Sequence, residues 1–173
     1  MLDTTIALLA ERGASLTVDD VAAVSGVHKT TIYRRFETRE LLIAAAIRRV
    51  GEQSVPPVDA TDPRAAIEAL AISVAAALRT TQGANILRGA IAASATAPDL
   101  VALADEFFRD RYELALGPLR QLVETGALRD DLEPVVVWEQ IVNPMHVRAL
   151  CGRATTDAQA TLLVELALRG AAA

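Results

Sequence analysis

Cysteine, aromatic residues and long apolar runs are scarce in this sequence of 173 residues. The one cysteine, Cys151, excludes an internal disulfide and fits a reducing compartment. Arginines or acids interrupt every apolar stretch before it reaches the roughly 20 residues that span a bilayer. The N-terminus does not show the basic segment and apolar core of a secretion signal. We therefore expect a protein of the cytoplasm that does not enter a membrane.

Residue groupings that signal catalysis or metal binding are missing as well. His28 and His146 lie far apart, and the sequence has neither a glycine-rich nucleotide loop nor a metal-ligand spacing. Paired acids such as Asp105-Glu106 are adjacent, so their side chains diverge on a helix. The sequence predicts neither an enzyme nor a bound metal or cofactor.

Apolar residues are abundant instead, at 52% of the chain, and they are mostly Ala, Leu and Val. Ala and Leu have the lowest cost in helices, and no stretch alternates as a strand would. The spacing predicts an all-α protein with about nine helices. Four short helices are expected in the first fifty residues, followed by segments at about 64–80, 84–95, 99–124, 134–151 and 156–170, with a candidate break at Gly117-Pro118.

The prolines between Ser54 and Pro63 divide the chain, because they bar the continuation of a helix. This break predicts two domains, residues 1–50 and residues 51–173. Charge is unevenly distributed between them. Residues 28–49 hold six basic and two acidic side chains, a local charge of +4. Because the net charge of the whole chain is −5, the remaining residues carry −9. The positive segment indicates a local anion-binding face.

A helix-turn-helix pattern lies beside this positive charge. Thr17 and Asp20 have the spacing of a capping box that opens a helix of about two turns. Gly26 supplies a turn, and a second short helix is expected from about His28 to Arg35. Thr38 is a candidate N-cap for a longer fourth helix.

The second helix has two chemically different sides. Ile32 and Phe36 are four residues apart and face inward with Val27, whereas the opposite side offers hydroxyl and cationic groups: Lys29, Thr30, Tyr33 and Arg34. Phosphate oxygens accept hydrogen bonds from such groups, and guanine edges accept them from Arg or Lys. The alternative is a solvated amphipathic helix whose charges only keep it soluble. The glycine turn, the brevity of both helices and the surplus of cations favour DNA binding.

The residues also match a familiar pattern: Val18-x-x-Val21-Ala22-x-x-Ser25-Gly26-Val27-x-x-x-Thr31-Ile32-Tyr33-x-x-Phe36, then Arg39-Glu40-x-Leu42. This pattern closely resembles the DNA-binding domain of TetR/AcrR-type transcriptional regulators. The resemblance implies a three-helix helix-turn-helix domain followed by a helical domain for effector binding and dimerisation. The family usually has a basic arm ahead of the first helix, and this chain begins almost inside that helix. Either the native start lies upstream, or the contacts of the arm are lost.

The resemblance implies a homodimer that places two recognition helices in successive major grooves of a near-palindromic operator. Its implied DNA contacts are Thr17, His28, Lys29, Thr30, Thr31, Tyr33, Arg34 and Arg39. Some of these positions have a second interpretation. Thr17 fits a helix cap as well as a phosphate contact, Thr31 fits either side of its helix, and His28 fits a base or a phosphate contact.

The resemblance implies that the C-terminal half forms the dimer interface and encloses an effector pocket. Apolar positions on the last two predicted helices fit the interface or the intrachain core: Val135, Val136, Val137, Ile141, Leu150, Leu162, Leu163, Leu166 and Leu168. Larger or polar side chains fit a pocket or ordinary packing: Arg88, Phe107, Phe108, Tyr112, Trp138, Asn143, Met145 and His146. The scarcity of aromatics and of dense charge favours a mostly apolar effector.

The expected function is that of a TetR-type regulator, a repressor that a small-molecule effector releases from its operator. The alternative is a helical adaptor that binds protein through the same apolar surfaces and has little or no affinity for DNA.

Overall fold

A computed structural model describes the backbone of residues 1–53, 61–96 and 98–173, and their side chains except at residues 14, 50–53, 90, 92–108, 110 and 111. This part of the chain contains nine α-helices, the short 3-10 helix Gly13–Ser15 and no strands, which confirms the predicted all-α class. The helices are α1 (Leu2–Arg12), α2 (Val18–Ser25), α3 (Lys29–Phe36), α4 (Arg39–Gln53), α5 (Pro63–Arg79), α6 (Thr81–Thr96), α7 (Pro98–Glu124), α8 (Pro134–Leu150) and α9 (Asp157–Gly170).

Local signals in the sequence set the ends of the first helices. Thr17 and Asp20 form the predicted capping box at the start of α2. Gly26 ends α2 in the left-handed conformation, with φ 70° and ψ 5°, which glycine adopts without steric cost. Thr38 accepts a hydrogen bond of 3.2 Å from the backbone N–H of Leu41 at the start of α4. The short connections that these caps produce hold α2 and α3 as a helix-turn-helix.

Helices α1 to α4 share one hydrophobic core. The core contains Leu8 and Leu9 of α1, Val21 of α2, Ile32 of α3 and Ile43 of α4, all nearly or fully buried. Helix α6 contributes to the same core through Ile86. Helix α3 therefore sits on a packed base that several helices build together.

A second core joins α5, the later part of α7, α8 and α9. Its fully buried side chains include Ile67 of α5, Leu119 of α7, and Ile141 and Met145 of α8. Val164 of α9 is also buried in this core. Capping fixes the start of α9 as well, since Thr156 and Gln159 form a second capping box.

The compact units of the chain do not follow its order in sequence. One unit consists of α1 to α4, α6 and the first part of α7, up to Phe108. The other consists of α5, the part of α7 from Arg109 onward, α8 and α9. Helix α6 therefore clusters with the N-terminal helices, although the sequence break lies well before it. The boundary near residue 50 stays a prediction about sequence domains.

Helix α7 runs without interruption through Gly117-Pro118, where the sequence suggested a break. Proline removes one backbone hydrogen bond and crowds the preceding turn. Ala115 and Leu119 on either side are both fully buried in the second core, so packing holds the helix across the proline.

Candidate DNA-binding surface and effector unit

The inward side of α3 is as predicted. Ile32 is 1% exposed in the first core, and Val27 and Phe36 pack against that core as partly buried neighbours. This apolar contact fixes the rotation of α3 about its own axis. The side chains on the opposite side are therefore directed to solvent.

The exposed side of α3 carries the predicted contact residues. Lys29, Thr30, Thr31 and Arg34 are exposed, and Tyr33 is 46% exposed. Thr31, for which the sequence left two orientations open, thus lies with the outward group. The combination of three hydroxyls and two cations on one short helix suits an array of phosphate and base acceptors.

His28 occupies the N-cap position of α3. Its carbonyl accepts hydrogen bonds from the backbone N–H groups of Thr31 (2.9 Å) and Ile32 (3.2 Å). Its imidazole makes no capping hydrogen bond and is exposed. The backbone of His28 therefore has a structural role, and its side chain lies at the entrance to the outward face.

Lys29 has an acidic neighbour that sequence reasoning missed. Its ammonium group forms an ion pair with the carboxylate of Asp19 in the first turn of α2. The two residues are ten positions apart, and only the turn at Gly26 brings them together. Any DNA phosphate at Lys29 therefore approaches a cation that Asp19 already attracts.

Thr17 acts as a cap in the free protein. Its Oγ1 accepts a hydrogen bond of 3.2 Å from the backbone N–H of Asp20. In return, the hydroxyl and backbone N–H of Thr17 donate to the Asp20 carboxylate at 2.7 Å and 2.9 Å. These hydrogen bonds, the hydroxyl first, lower the pKa of Asp20 below its ordinary value, and the Arg12 guanidinium 2.6 Å away acts in the same direction.

Arg39 supports the loop ahead of α2. Its Nε donates to the carbonyl of Leu16 at 2.5 Å, and its Nη1 lies 3.2 Å from Glu40 Oε1. About a third of the side chain (34%) remains exposed. Arg39 therefore ties the start of α4 to the entry of α2, a contact between residues 23 positions apart. The predicted phosphate contact at Arg39 stays a prediction.

One exposed cation on α3, Arg35, was not singled out from the sequence. The guanidinium carbon of Arg35 lies 5.4 Å from the centre of the Phe36 ring, a distance typical of cation–π attraction. Its position in the last turn of α3 also suits the helix dipole. Consecutive arginines in sequence do not reveal which one stacks on the neighbouring ring.

Three of the eight predicted pocket residues belong to the second core or pack against it. Trp138 and Met145 are buried in the second core, and Tyr112 packs against that core as a partly buried neighbour. Burial raises the pKa of the Tyr112 hydroxyl, and the carboxylate of Glu139 adds to this effect. Asn143 is exposed and His146 is partly buried.

The remaining pocket candidates lie elsewhere. Arg88 belongs to α6 in the first unit, where its Nη1 donates to Asn85 Oδ1 at 2.9 Å. The side chains of Phe107 and Phe108 lie outside the described residues. The assignment of a pocket to these eight positions stays a prediction.

Helices α8 and α9 expose apolar side chains of the second unit. Several interface candidates, including Val137, Ile141 and Leu168, are instead buried in the intrachain core. Val136, Leu162 and Leu166 are 42%, 51% and 58% exposed, and Leu150 lies near the exposed C-cap Cys151. A shallow groove runs between the two helices and is lined by Leu132, Val136, Val137, Gln140, Leu163, Leu166, Ala167, Gly170 and Ala171. We call these exposed side chains and the groove the apolar α8–α9 face.

The described residues contain no group of three or more His, Cys, Asp or Glu side chains placed to hold a metal ion. Within the same residues, no helix combines the length and apolar character needed to cross a bilayer.

Comparison with known proteins relates both halves of the chain to one family. Residues 1–46 match the family described as bacterial regulatory proteins, tetR family. Residues 57–167 match the tetracyclin repressor-like C-terminal domain. These two matches cover the helix-turn-helix and most of the remaining helices.

Individual relatives agree with this assignment. An HTH-type transcriptional regulator of Mycobacterium tuberculosis is 44% identical over 59 residues, which make up 33% of this chain and 29% of that protein. The HTH-type transcriptional regulator AqdR of Rhodococcus erythropolis is 27% identical over 134 residues, 77% of this chain and 62% of AqdR. The chain thus spans less than two thirds of these curated relatives.

A solved structure extends the similarity to the whole fold. The crystal structure of the TetR family transcription regulator SCO0332 is 30% identical to this chain and superposes with a TM-score of 0.76. The match covers 99% of this chain and 96% of that one. The TetR/AcrR-type resemblance predicted from the sequence is confirmed: the chain belongs to the TetR family of bacterial regulatory proteins.

Proposed function

We propose that this protein is a transcriptional regulator that binds operator DNA through the exposed side of α3. The observation that carries this proposal is the separation of α3 into a buried apolar side at Ile32 and an exposed side with Lys29, Tyr33 and Arg34. The major groove admits a helix, and its base edges and flanking phosphates accept hydrogen bonds from these groups. Membership of the TetR family supports the same function.

The apolar α8–α9 face supports a homodimer as the binding species. Leu162 and Leu166 expose more than half of their side chains, and a twin chain would remove them from water. A twofold axis through that contact would relate two copies of α3. Two half-sites in a near-palindromic operator would match this symmetry.

We further propose that a mostly apolar small molecule releases the operator, so that the protein acts as a repressor. The second unit supplies an apolar surrounding in which Tyr112 and Trp138 are the larger side chains. An effector that favours the conformation unable to bind DNA must lose affinity when DNA is bound, because the coupling free energy is reciprocal. We place this action in the cytoplasm, where bacterial DNA lies, and we propose no catalytic role.

The proposal is tested by selecting duplexes from a randomised pool with the full chain and titrating the recovered duplex at two salt concentrations. We expect enrichment of a near-palindromic sequence and a steep loss of affinity with salt, because bound cations release counterions from the phosphates. The control is a duplex of the same length and composition with both half-sites scrambled. Failure to enrich any sequence would overturn the proposal.

The adaptor alternative depends on the same apolar face. It predicts that the chain recovers no specific duplex and that substitutions on α3 leave all of its interactions unchanged. The selection experiment therefore separates the two functions.

A further inference from the structure

Helix α6 meets α1 at a glycine. A Cβ atom built at Gly89 would lie 2.8 Å from Leu9 Cδ1, and 3.5 Å and 3.6 Å from Leu9 Cγ and Cδ2. Real Cβ atoms do not approach a carbon to 2.8 Å, so any other residue at position 89 requires a displacement. Leu9 is 0% exposed, and a close-packed interior leaves its side chain little room to turn away. The missing side chain at Gly89 therefore leaves the space that Leu9 occupies, and we call this contact the Gly89–Leu9 seat.

A polar contact accompanies this seat one turn earlier on α6. The side-chain amide of Asn85 donates a hydrogen bond to the carbonyl of Ala10, the residue after Leu9. Arg88 donates to the Asn85 Oδ1 atom at 2.9 Å and so fixes the direction of the amide. The carbonyl of Ala10 lies near the C-terminal end of α1, where carbonyls lack partners within the helix. Two kinds of contact thus hold α6 against the same turn of α1.

The turn of α1 held in this way supports the helix-turn-helix. Leu9 belongs to the same core as Val21 of α2 and Ile32 of α3, so a displacement of Leu9 reaches the base on which α3 rests. Helix α6 follows α5 after one residue, Thr80, and precedes α7 in the chain. The chain therefore runs from the second unit into α6 and back again.

We propose that Gly89 is a positioning residue for DNA binding: by seating Leu9, it makes α6 part of the base that holds α3. This inference rests on the proposed function, since it concerns how the operator-binding surface is positioned. It also identifies the contact through which a movement of α6 would reach α3. Gly89 itself touches no DNA in this proposal.

The test compares Gly89→Ala with Gly117→Ala in the full chain. Both substitutions add one methyl group to a helical glycine, but a Cβ at Gly117 has no atom within 4 Å. The first measurement is amide hydrogen exchange in α1 and in α9, which needs no DNA. The second is affinity for a duplex selected from a randomised pool by the unsubstituted chain.

For Gly89→Ala we expect exchange in α1 to rise and duplex affinity to fall, each by about tenfold, because overpacking displaces Leu9. Exchange in α9 should stay unchanged, and Gly117→Ala should match the unsubstituted chain in duplex affinity. The double substitution Leu9→Val with Gly89→Ala shortens the side chain that meets the new methyl group. It should recover most of the lost affinity. If Gly89→Ala alone does not fold, the double substitution is the variant that tests the inference.

Unchanged duplex affinity in Gly89→Ala would overturn the inference, even if exchange in α1 rises. The inference would also be overturned if the double substitution folds but recovers no affinity relative to Gly89→Ala. The same holds if the double substitution binds the selected duplex no better than Gly117→Ala binds a scrambled duplex. These outcomes differ from failure of the proposed function. In that case the unsubstituted chain itself would select no duplex.

Discussion

Lys29 offers DNA a positive charge that Asp19 already attracts. The pair is exposed, with half of the Lys29 side chain and two thirds of the Asp19 side chain accessible. Exposed ion pairs contribute little to stability, because water and salt screen them. The consequence of Asp19 therefore concerns DNA affinity more than folding. A carboxylate beside the recognition helix repels the phosphates that Lys29 attracts.

We predict that Asp19→Asn raises affinity for the selected duplex by roughly threefold to tenfold at low salt, since one repulsive charge is removed. The change should shrink as salt is added. Asp157→Asn is the matched control, because Asp157 also forms an exposed pair, with Arg79 at 2.7 Å in the second unit. Fluorescence anisotropy titrations measure both. Equal effects from the two substitutions would attribute the gain to net charge alone.

Arg34 is exposed on the outward side of α3 and belongs to neither core. We predict that Arg34→Ala lowers duplex affinity by about tenfold or more and leaves the thermal unfolding midpoint unchanged. If Arg34 binds a phosphate, the slope of log affinity against log salt should also decrease by about one. Arg169→Ala removes another exposed cation, which pairs with Glu165 on α9, and should change neither quantity. An Arg34→Ala chain with full affinity would contradict this orientation of α3.

At the scale of the element, α2 depends on Thr17 for its start. We predict that Thr17→Ala lowers the free energy of unfolding by about 1 kcal/mol, because a threonine N-cap contributes about that much. Thr17→Ser keeps the hydroxyl and should keep the stability. Denaturant titration measures both variants. If Thr17→Ser retains stability but loses duplex affinity, the methyl group of Thr17 has a part in DNA binding beyond capping.

The contribution of this cap to stability depends on pH, and the direction of that dependence follows from the pKa of Asp20. Its pKa is lowered in the folded protein, chiefly by the Thr17 hydroxyl, so the ionised carboxylate stabilises the fold above the ordinary pKa of Asp. That contribution is lost as pH falls through the lower, folded pKa. Thr17→Ala should therefore raise the pKa of Asp20 toward its ordinary value in a carboxyl NMR titration. No change in that pKa would contradict the role of the hydroxyl.

Elements with local signals could be predicted from the sequence, and contacts between distant residues could not. The Thr17–Asp20 box and the turn at Gly26 depend on neighbours three or four positions away. The pairing of Lys29 with Asp19 and of Arg39 with the Leu16 carbonyl depends on how α2, α3 and α4 pack together. Helix periodicity identifies an apolar side but does not show which core receives it.

The same limit applies to the second unit. Trp138 and Met145 are predicted pocket candidates because they are large side chains in an apolar helix, and both are buried in the core. Leu166 has the same apolar character and is 58% exposed. Composition cannot separate these outcomes, because each depends on whether another helix covers the residue.

For the whole molecule, we predict that Leu166→Glu converts a dimer into a monomer, since it places a charge in the proposed contact. Duplex affinity should fall by about 100-fold or more, because the two recognition helices no longer bind as one unit. Gln82→Glu introduces the same charge at an exposed position of α6 and should leave the dimer intact. Sedimentation velocity measures the state of association. A Leu166→Glu chain that stays dimeric would place the contact elsewhere.

The exposed thiol at the end of α8 gives this chain a convenient chemical handle. Cys151 is the sole cysteine in the sequence, so a thiol-reactive dye labels each copy once without any prior substitution. It follows Leu150 directly and therefore adjoins the apolar α8–α9 face. Copies labelled with a donor dye and copies labelled with an acceptor dye can be mixed, and energy transfer between them then reports whether the proposed dimer forms and how fast its subunits exchange.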